Sequence, residues 1–242
     1  MSNTVKVIEE ETIEIEEPTV ITGFPGPGFV GETTAMLISD ALRMRVLGHI
    51  ESELIPPMFV VMGTDMRPPF RIHGNEDRDL LVVVDNQPIP MEHHRTVIRG
   101  LMDWLVQRNV KEIVTTDGLP MPDETLEGSV VGFSTDQMKL AELGRLGVLP
   151  LTSGAVTGMN AAFLELCQRK GVTFTGLLAP TRRISATNWR GVTSIVEVLN
   201  STVGLDVDVS SILRGMEQVA AAAERAAGKK RGIFDIFKRR TG

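Results

Sequence analysis

The run "LLVVV" at positions 80–84 is apolar at every position and is stopped by Asp85 and by prolines at 88 and 90. A strand with one wet face alternates apolar and polar residues; a continuous apolar run is what a strand buried on both faces needs. The helices that could cover such a strand are in the sequence. "MEHHRTVIRGLMDWLVQRN" sets Val97, Leu101, Trp104 and Leu105 at helical spacing. Further helices are expected from about Val30 to Met44, and over "TDQMKLAELGRLG", "TGMNAAFLELCQRKG", "WRGVTSIVEVLNSTV" and "VSSILRGMEQVAAAAERAAG". Between them, "VKVI", "TIEIE", "PTVITGF", "RVLGHIES", "PMFVVM", "VKEIVTTDG", "SVVGFS", "GVLPL" and "VTFTGLLAPT" read as strands. Strands alternating with helices give an α/β protein with a mixed, mostly parallel sheet covered by helices on both faces. We expect a single domain over residues 1–228, followed by a tail at 229–242.

No apolar run approaches the ~20 residues that span a bilayer. The opening "MSNTVKVIEEETIEIEE" is acidic, unlike a secretory signal or a transit peptide. The only cysteine is Cys167, so no internal disulfide is possible, and a cytoplasmic location is expected. The net charge is −6 although the tail is basic, so the body is more acidic than the whole. Such a surface repels polyanions, and no nucleic-acid partner is expected.

"GFPGPGFVG" follows an apolar strand and opens a helix. Its Gly26, Gly28 and Gly31 satisfy the G-x-G-x-x-G spacing of a dinucleotide loop, and Glu51 lies about 20 residues on, where an acid meets a ribose hydroxyl. Against that, Pro25 and Pro27 have no N–H to offer a phosphate. Glu32 sets a carboxylate at the positive end of the helix. We read Gly23, Gly26, Gly28 and Gly31 as a structural strand-to-helix turn, with no cofactor. Asp85, Asp117 and Ser153 end strands, where α/β ligand sites gather, although Asp and Ser also cap turns there. His93 and His94 are adjacent and diverge on a helix, so no metal is expected. Cys167 falls on an apolar helix face and reads as a small core residue.

Taken together, these segments resemble a known family. "GFPGPGFVG" before a helix looks like the N-terminal signature of the proteasome assembly chaperone family, prokaryotic branch. "GVLPLTSGAVTGMNAAFLELCQRKGVTFTGLLAPT" resembles that family's run of Gly, small residue, Gly, Asn, apolar helix, Gly and hydrophobic strand. "VEVLNSTVGLDVDVSSIL" is similar to its closing helix pair, and the resemblance runs from about Thr19 to Leu213. It implies a nucleoside-phosphorylase-like architecture, self-association as a trimer, binding to proteasome α-subunits, and no catalytic residues.

The tail "KKRGIFDIFKRR" places Ile233, Phe234, Ile236 and Phe237 between basic clusters. Large apolar side chains gain ~1.5–3 kcal/mol each when a partner buries them fully. Archaeal members of the family are associated with a terminal hydrophobic–tyrosine–any motif, but this chain has no tyrosine and ends in "RRTG". The expected protein contact is therefore Ile233, Phe234, Ile236 and Phe237, with Lys238, Arg239 and Arg240 beside them. A membrane surface is the other candidate for the tail. The alternative for the whole chain is a small-molecule-binding or phosphorylase-like enzyme that uses residues 23–31 with Asp85 and Asp117.

Overall fold

A computed structural model describes residues 4–12, 14–121 and 126–210. The chain divides into one compact unit over Met1–Val207 and a second over Asp208–Gly242. The expected helix from Val209 to Gly228, the expected boundary after Gly228 and the basic tail lie largely or wholly outside the described residues.

The first unit is an α/β domain built on a nine-stranded sheet. Its strands are β1 (Lys6–Glu9), β2 (Thr19–Gly23), β3 (Arg45–Glu51), β6 (Phe70–Asn75), β7 (Leu80–Asp85), β8 (Glu112–Pro120), β9 (Val131–Ser134), β10 (Leu149–Pro150) and β11 (Thr173–Thr181). A separate two-stranded ribbon pairs β4 (Val60–Met62) with β5 (Asp65–Arg67). The sheet order is β1-β3-β6-β7-β2-β8-β11-β9-β10. Its centre, β7-β2-β8-β11, is parallel, while β1, β3, β6 and β7 pair antiparallel in turn. On the other side β9 is antiparallel to β11 and parallel to β10. The sheet is thus mixed and parallel where it is deepest.

Every residue of β7 is buried, as its composition demands. One face is covered by α1 (Val30–Ala41), α3 (Gln137–Arg145) and α5 (Trp189–Val203); α2 (His94–Val106) and α4 (Gly158–Lys170) pack together over the other. Under α2 and α4 lies the main apolar core, in which the Phe24 ring stacks on Phe163 and meets Phe70 edge-on, both at 6.0 Å between centroids. The expected stripe of Val97, Leu101, Trp104 and Leu105 faces this core.

Three local expectations differ from the structure. In "TIEIE" the described residues form no strand, because backbone amides bond to side chains instead of a ladder: Glu14 N donates to Glu76 Oε1 and Glu16 N to Asp79 Oδ1. "PMFVVM" contributes β4, but to the ribbon rather than to the sheet. The strand β6 was not expected, since Arg71, His73, Gly74 and Asn75 disguise the alternation of Phe70 and Ile72. Arg71 is buried there and donates to the carbonyl of Pro68 at 2.6 Å and to Asn86 Oδ1 at 2.9 Å.

Candidate functional site

Parallel pairing gathers the carboxyl ends of β2, β7, β8 and β11 at one edge, and the glycine loop leaves from there. Register sets Val84 and Thr116 on either side of Gly23. Asp85 and Asp117 therefore flank the first residue of the loop. The sequence signals for these positions, strand-end acids beside a glycine turn, are brought together by the fold. Ser153 is not part of the cluster; it is exposed in the loop after β10.

Asp117 is held from two elements. Its Oδ1 accepts from the Gly118 amide at 2.7 Å and its Oδ2 from Asn160 Nδ2 at 2.9 Å. Asn160, on the first turn of α4, accepts in turn from the Thr115 hydroxyl. Burial pushes the Asp117 carboxyl up to about 6, against the pull of those two hydrogen bonds. Asp85 is 1% exposed. Burial raises its carboxyl to about 8; the Gln87 amide opposes that shift, the Glu32 carboxyl adds to it and Arg71 opposes it. Glu32, on the first turn of α1, is itself raised by burial. Two carboxyls poised near neutrality can in principle hold or move protons.

The loop leaves no room for that chemistry to reach a phosphate. Gly28 has φ +64°, and its N–H donates to Ile184 O while its carbonyl accepts from Asn188 N, both at 2.9 Å. A Cβ on Gly28 would stand 2.6 Å from Thr181 Cγ2, and one on Gly26 2.2 Å from Asp117 Oδ1. At Gly31 a Cβ would meet the Thr116 carbonyl at 2.5 Å. The Phe29 amide bonds Gly26 O at 3.0 Å, so the amides of both Gly28 and Phe29 are used inside the protein. Topology also differs from a dinucleotide unit, in which the strand after the glycine helix lies beside the first. Here β6 and β7 stand between β2 and β3, and Glu51 is exposed at the end of β3.

The other candidates are structural in their surroundings. His94 donates from Nε2 to Ile89 O at 2.8 Å. Among the described residues no cluster of three His, Cys, Asp or Glu side chains could hold a metal. Cys167 is buried in the main core, where desolvation pushes its thiol up to about 12. In the sequence Asn160 enters only as the Asn of the family pattern, with no role beside Asp117; an amide among the apolar residues of "MNAAFLEL" is the available signal.

A family model described as the PAC2 family matches residues 20–227. The chain belongs to the PAC2 family. The PAC2 chain is 28% identical over 223 residues to the uncharacterized protein MJ0106 of Methanocaldococcus jannaschii, covering 90% of this chain and 89% of that one. Among solved structures it is similar to PbaA of Pyrococcus furiosus, an archaeal homolog of proteasome-assembly chaperone. That likeness has 25% identity and a TM-score of 0.85, over 98% of this chain and 97% of the other. Pyrococcus furiosus PbaB, an archaeal proteasome activator, shares the fold at 17% identity and a TM-score of 0.77, over 93% and 99% of the two chains. A non-catalytic protein fits this family, and the rival reading as a phosphorylase-like enzyme finds no support in it.

Proposed function

We propose that this PAC2 protein is a non-catalytic, homo-oligomeric assembly chaperone that acts on proteasome subunits or a related protein partner. The observation that carries the reading is the PAC2 match across residues 20–227, with a PbaA-like fold over nearly the whole chain. The packing of Gly26 by Asp117, Gly28 by Thr181, Gly31 by Thr116 and Gly23 by Gly31 and Ala35 supports these glycines as a structural turn that shapes this edge of the domain.

Self-association is supported by the β4–β5 ribbon, and the family resemblance implies a trimer. Val61 and Met66 are paired directly across it, and with Phe59 they are 66–72% exposed. Two-stranded ribbons are marginal alone, and an exposed apolar face gains from a covering layer.

The partner contact is assigned to Ile233, Phe234, Ile236 and Phe237, steered by Lys238, Arg239 and Arg240; proteasome α-subunits are the partner that the family relationship favours. The test is affinity capture from the native host with the full chain and with residues 229–242 deleted. Loss of proteasome subunits on deletion is the expected result. Capture that survives deletion moves the contact onto the folded body, and loss of vesicle binding alone assigns the tail to membranes.

A further inference from the structure

Bonded to the glycine loop through Ile184 and Asn188, the segment from Thr181 to Gly191 reads "TRRISATNWRG", with three arginines and no acid. It joins β11 to α5 and lines a cleft of about 420 Å³. Arg182, Arg183 and Arg190 all border this cleft, together with the half-exposed indole of Trp189, Met121 and Glu127. Among the described residues Glu127 is the only acid on its wall. All three arginines are exposed, and neither Arg183 nor Arg190 has an ion-pair partner among the described residues.

The same segment also carries exposed apolar surface outside the cleft lining. Ile184 is 59% exposed, and its carbonyl accepts from Gly28 N, which fixes the neighbouring Phe29 (38% exposed) to the same segment. The loop is not slack: Asn188 Nδ2 donates to Pro180 O and Thr181 Oγ1, both at 2.9 Å, and its Oδ1 accepts from Gly191 N at 3.0 Å. A firmly tied loop that presents guanidinium groups beside Trp189, Ile184 and Phe29 has the composition of interface cores, where aromatic residues and arginine are enriched.

We propose that this cleft is a docking surface for an acidic segment of a protein partner, one whose carboxylates alternate with large apolar side chains. Charge decides the occupant. A planar guanidinium pairs with a carboxylate through two parallel hydrogen bonds, and the exposed Arg183 and Arg190 present that group to an acidic partner segment. A long polyanion such as nucleic acid meets repulsion outside the cleft; a short acidic peptide does not. The apolar side chains of the peptide lie against Trp189 and Ile184, whose area is available for burial. This surface is on the folded domain and does not depend on the tail as the partner contact.

The probe is a fluorescein-labelled synthetic peptide of alternating Glu and Leu, titrated into the full chain and read by anisotropy, with the same peptide carrying Lys for Glu as control. The tail is basic and attracts the peptide too, so the deciding comparison is Arg183→Glu with Arg190→Glu in a chain that keeps its tail. The expected result is saturable binding that the double variant weakens at least about tenfold and that weakens as salt rises past ~0.15 M. Trp189→Leu weakens it without changing the salt dependence, and the Lys peptide does not bind. Arg183→Gln with Arg190→Gln serves if the charge reversal lowers the melting temperature. Equal binding by native and variant chains overturns the proposal, as does absence of saturable binding. Displacement of the peptide by inorganic triphosphate at lower concentration than by the unlabelled peptide also overturns it, since the cleft is then a phosphate site.

Discussion

Asp117 and Asn160 join β8 to the start of α4 by a side-chain hydrogen bond of 2.9 Å beneath the glycine loop. The same carboxylate closes on the Gly118 amide and leaves no space for a side chain at Gly26. One acid therefore couples the strand end, the helix start and the loop. Asp117→Ala strands the Asn160 amide and the Gly118 N–H in a partly buried site. Unpaired groups of this kind cost about 1–3 kcal/mol each. The expected outcome is a large fall in denaturation midpoint for Asp117→Ala and a smaller one for Asp117→Asn, whose Oδ1 still accepts from Gly118. Equal effects, or none, in urea titrations of the two variants count against the coupling.

The glycine loop tolerates no side chain at two positions for different reasons. At Gly28 the positive φ and the Thr181 methyl both oppose a Cβ; at Gly31 the obstacle is the Thr116 backbone carbonyl. Gly28→Ala and Gly31→Ala are expected to destabilise the domain, and the Gly31 variant more, because backbone cannot move aside as a methyl can. Circular-dichroism melts rank them. NAD, FAD and ATP are expected not to shift the melt of the native chain; saturable nucleotide binding that Gly28→Ala abolishes sinks this view of the loop.

The parts of the fold legible in the sequence are those where one physical requirement dominates. Leu80 to Val84 can only be a strand covered twice, and Val97, Leu101, Trp104 and Leu105 can only be a core-facing helix stripe. Strand β6 was hidden because Arg71 and His73 are buried through tertiary geometry, which spacing does not encode. The strand-end acids were legible as turn-forming residues. That Asn160, about forty residues downstream, pairs with Asp117 was not, because the parallel crossover that delivers it has no local signature. The arginines of residues 182–190 carried a signal in their density alone, yet only the fold turns them onto one cleft beside Trp189.

Self-association has a direct measurement. Light scattering of the full chain is expected to give about three times the 26.5 kDa of one copy, and the same number of copies is expected when residues 229–242 are removed. Replacing Val61 and Met66, paired across the ribbon, by Glu sets two like charges face to face on the surface that a second copy would cover. That variant is expected to shift toward monomer with its far-ultraviolet spectrum intact. A native monomer at micromolar concentration removes the oligomer from the proposal.

Burial shifts the Asp85 carboxyl and the His73 imidazole in opposite directions, and both lie inside the domain. The Asp85 carboxyl is pushed from an ordinary value of 3.8 up to about 8 by burial, so the fold keeps a proton that the unfolded chain releases. Its stabilising contribution is fully present below pH ~4 and is lost as pH rises through about 8. At 1.36 kcal/mol for each unit, a shift of this size is on the order of several kcal/mol over that range. His73 is buried, and burial first, then Arg71 and Arg67, lower it to about 4 against a weaker opposing pull from the Met44 backbone. The fold keeps it neutral, so its contribution is present above pH ~6.5 and is lost as pH falls toward 4. Asp85→Asn retains an oxygen to accept from the Gln87 amide, 2.9 Å away in the native chain, and has no proton to lose. It is expected to raise the melting temperature at pH 8.5 and to flatten the alkaline limb while leaving the acid limb in place. His73→Leu is expected to flatten the acid limb alone. If Asp85→Asn melts along the same pH curve as the native chain, the buried carboxyl is not the group that sets the alkaline limb.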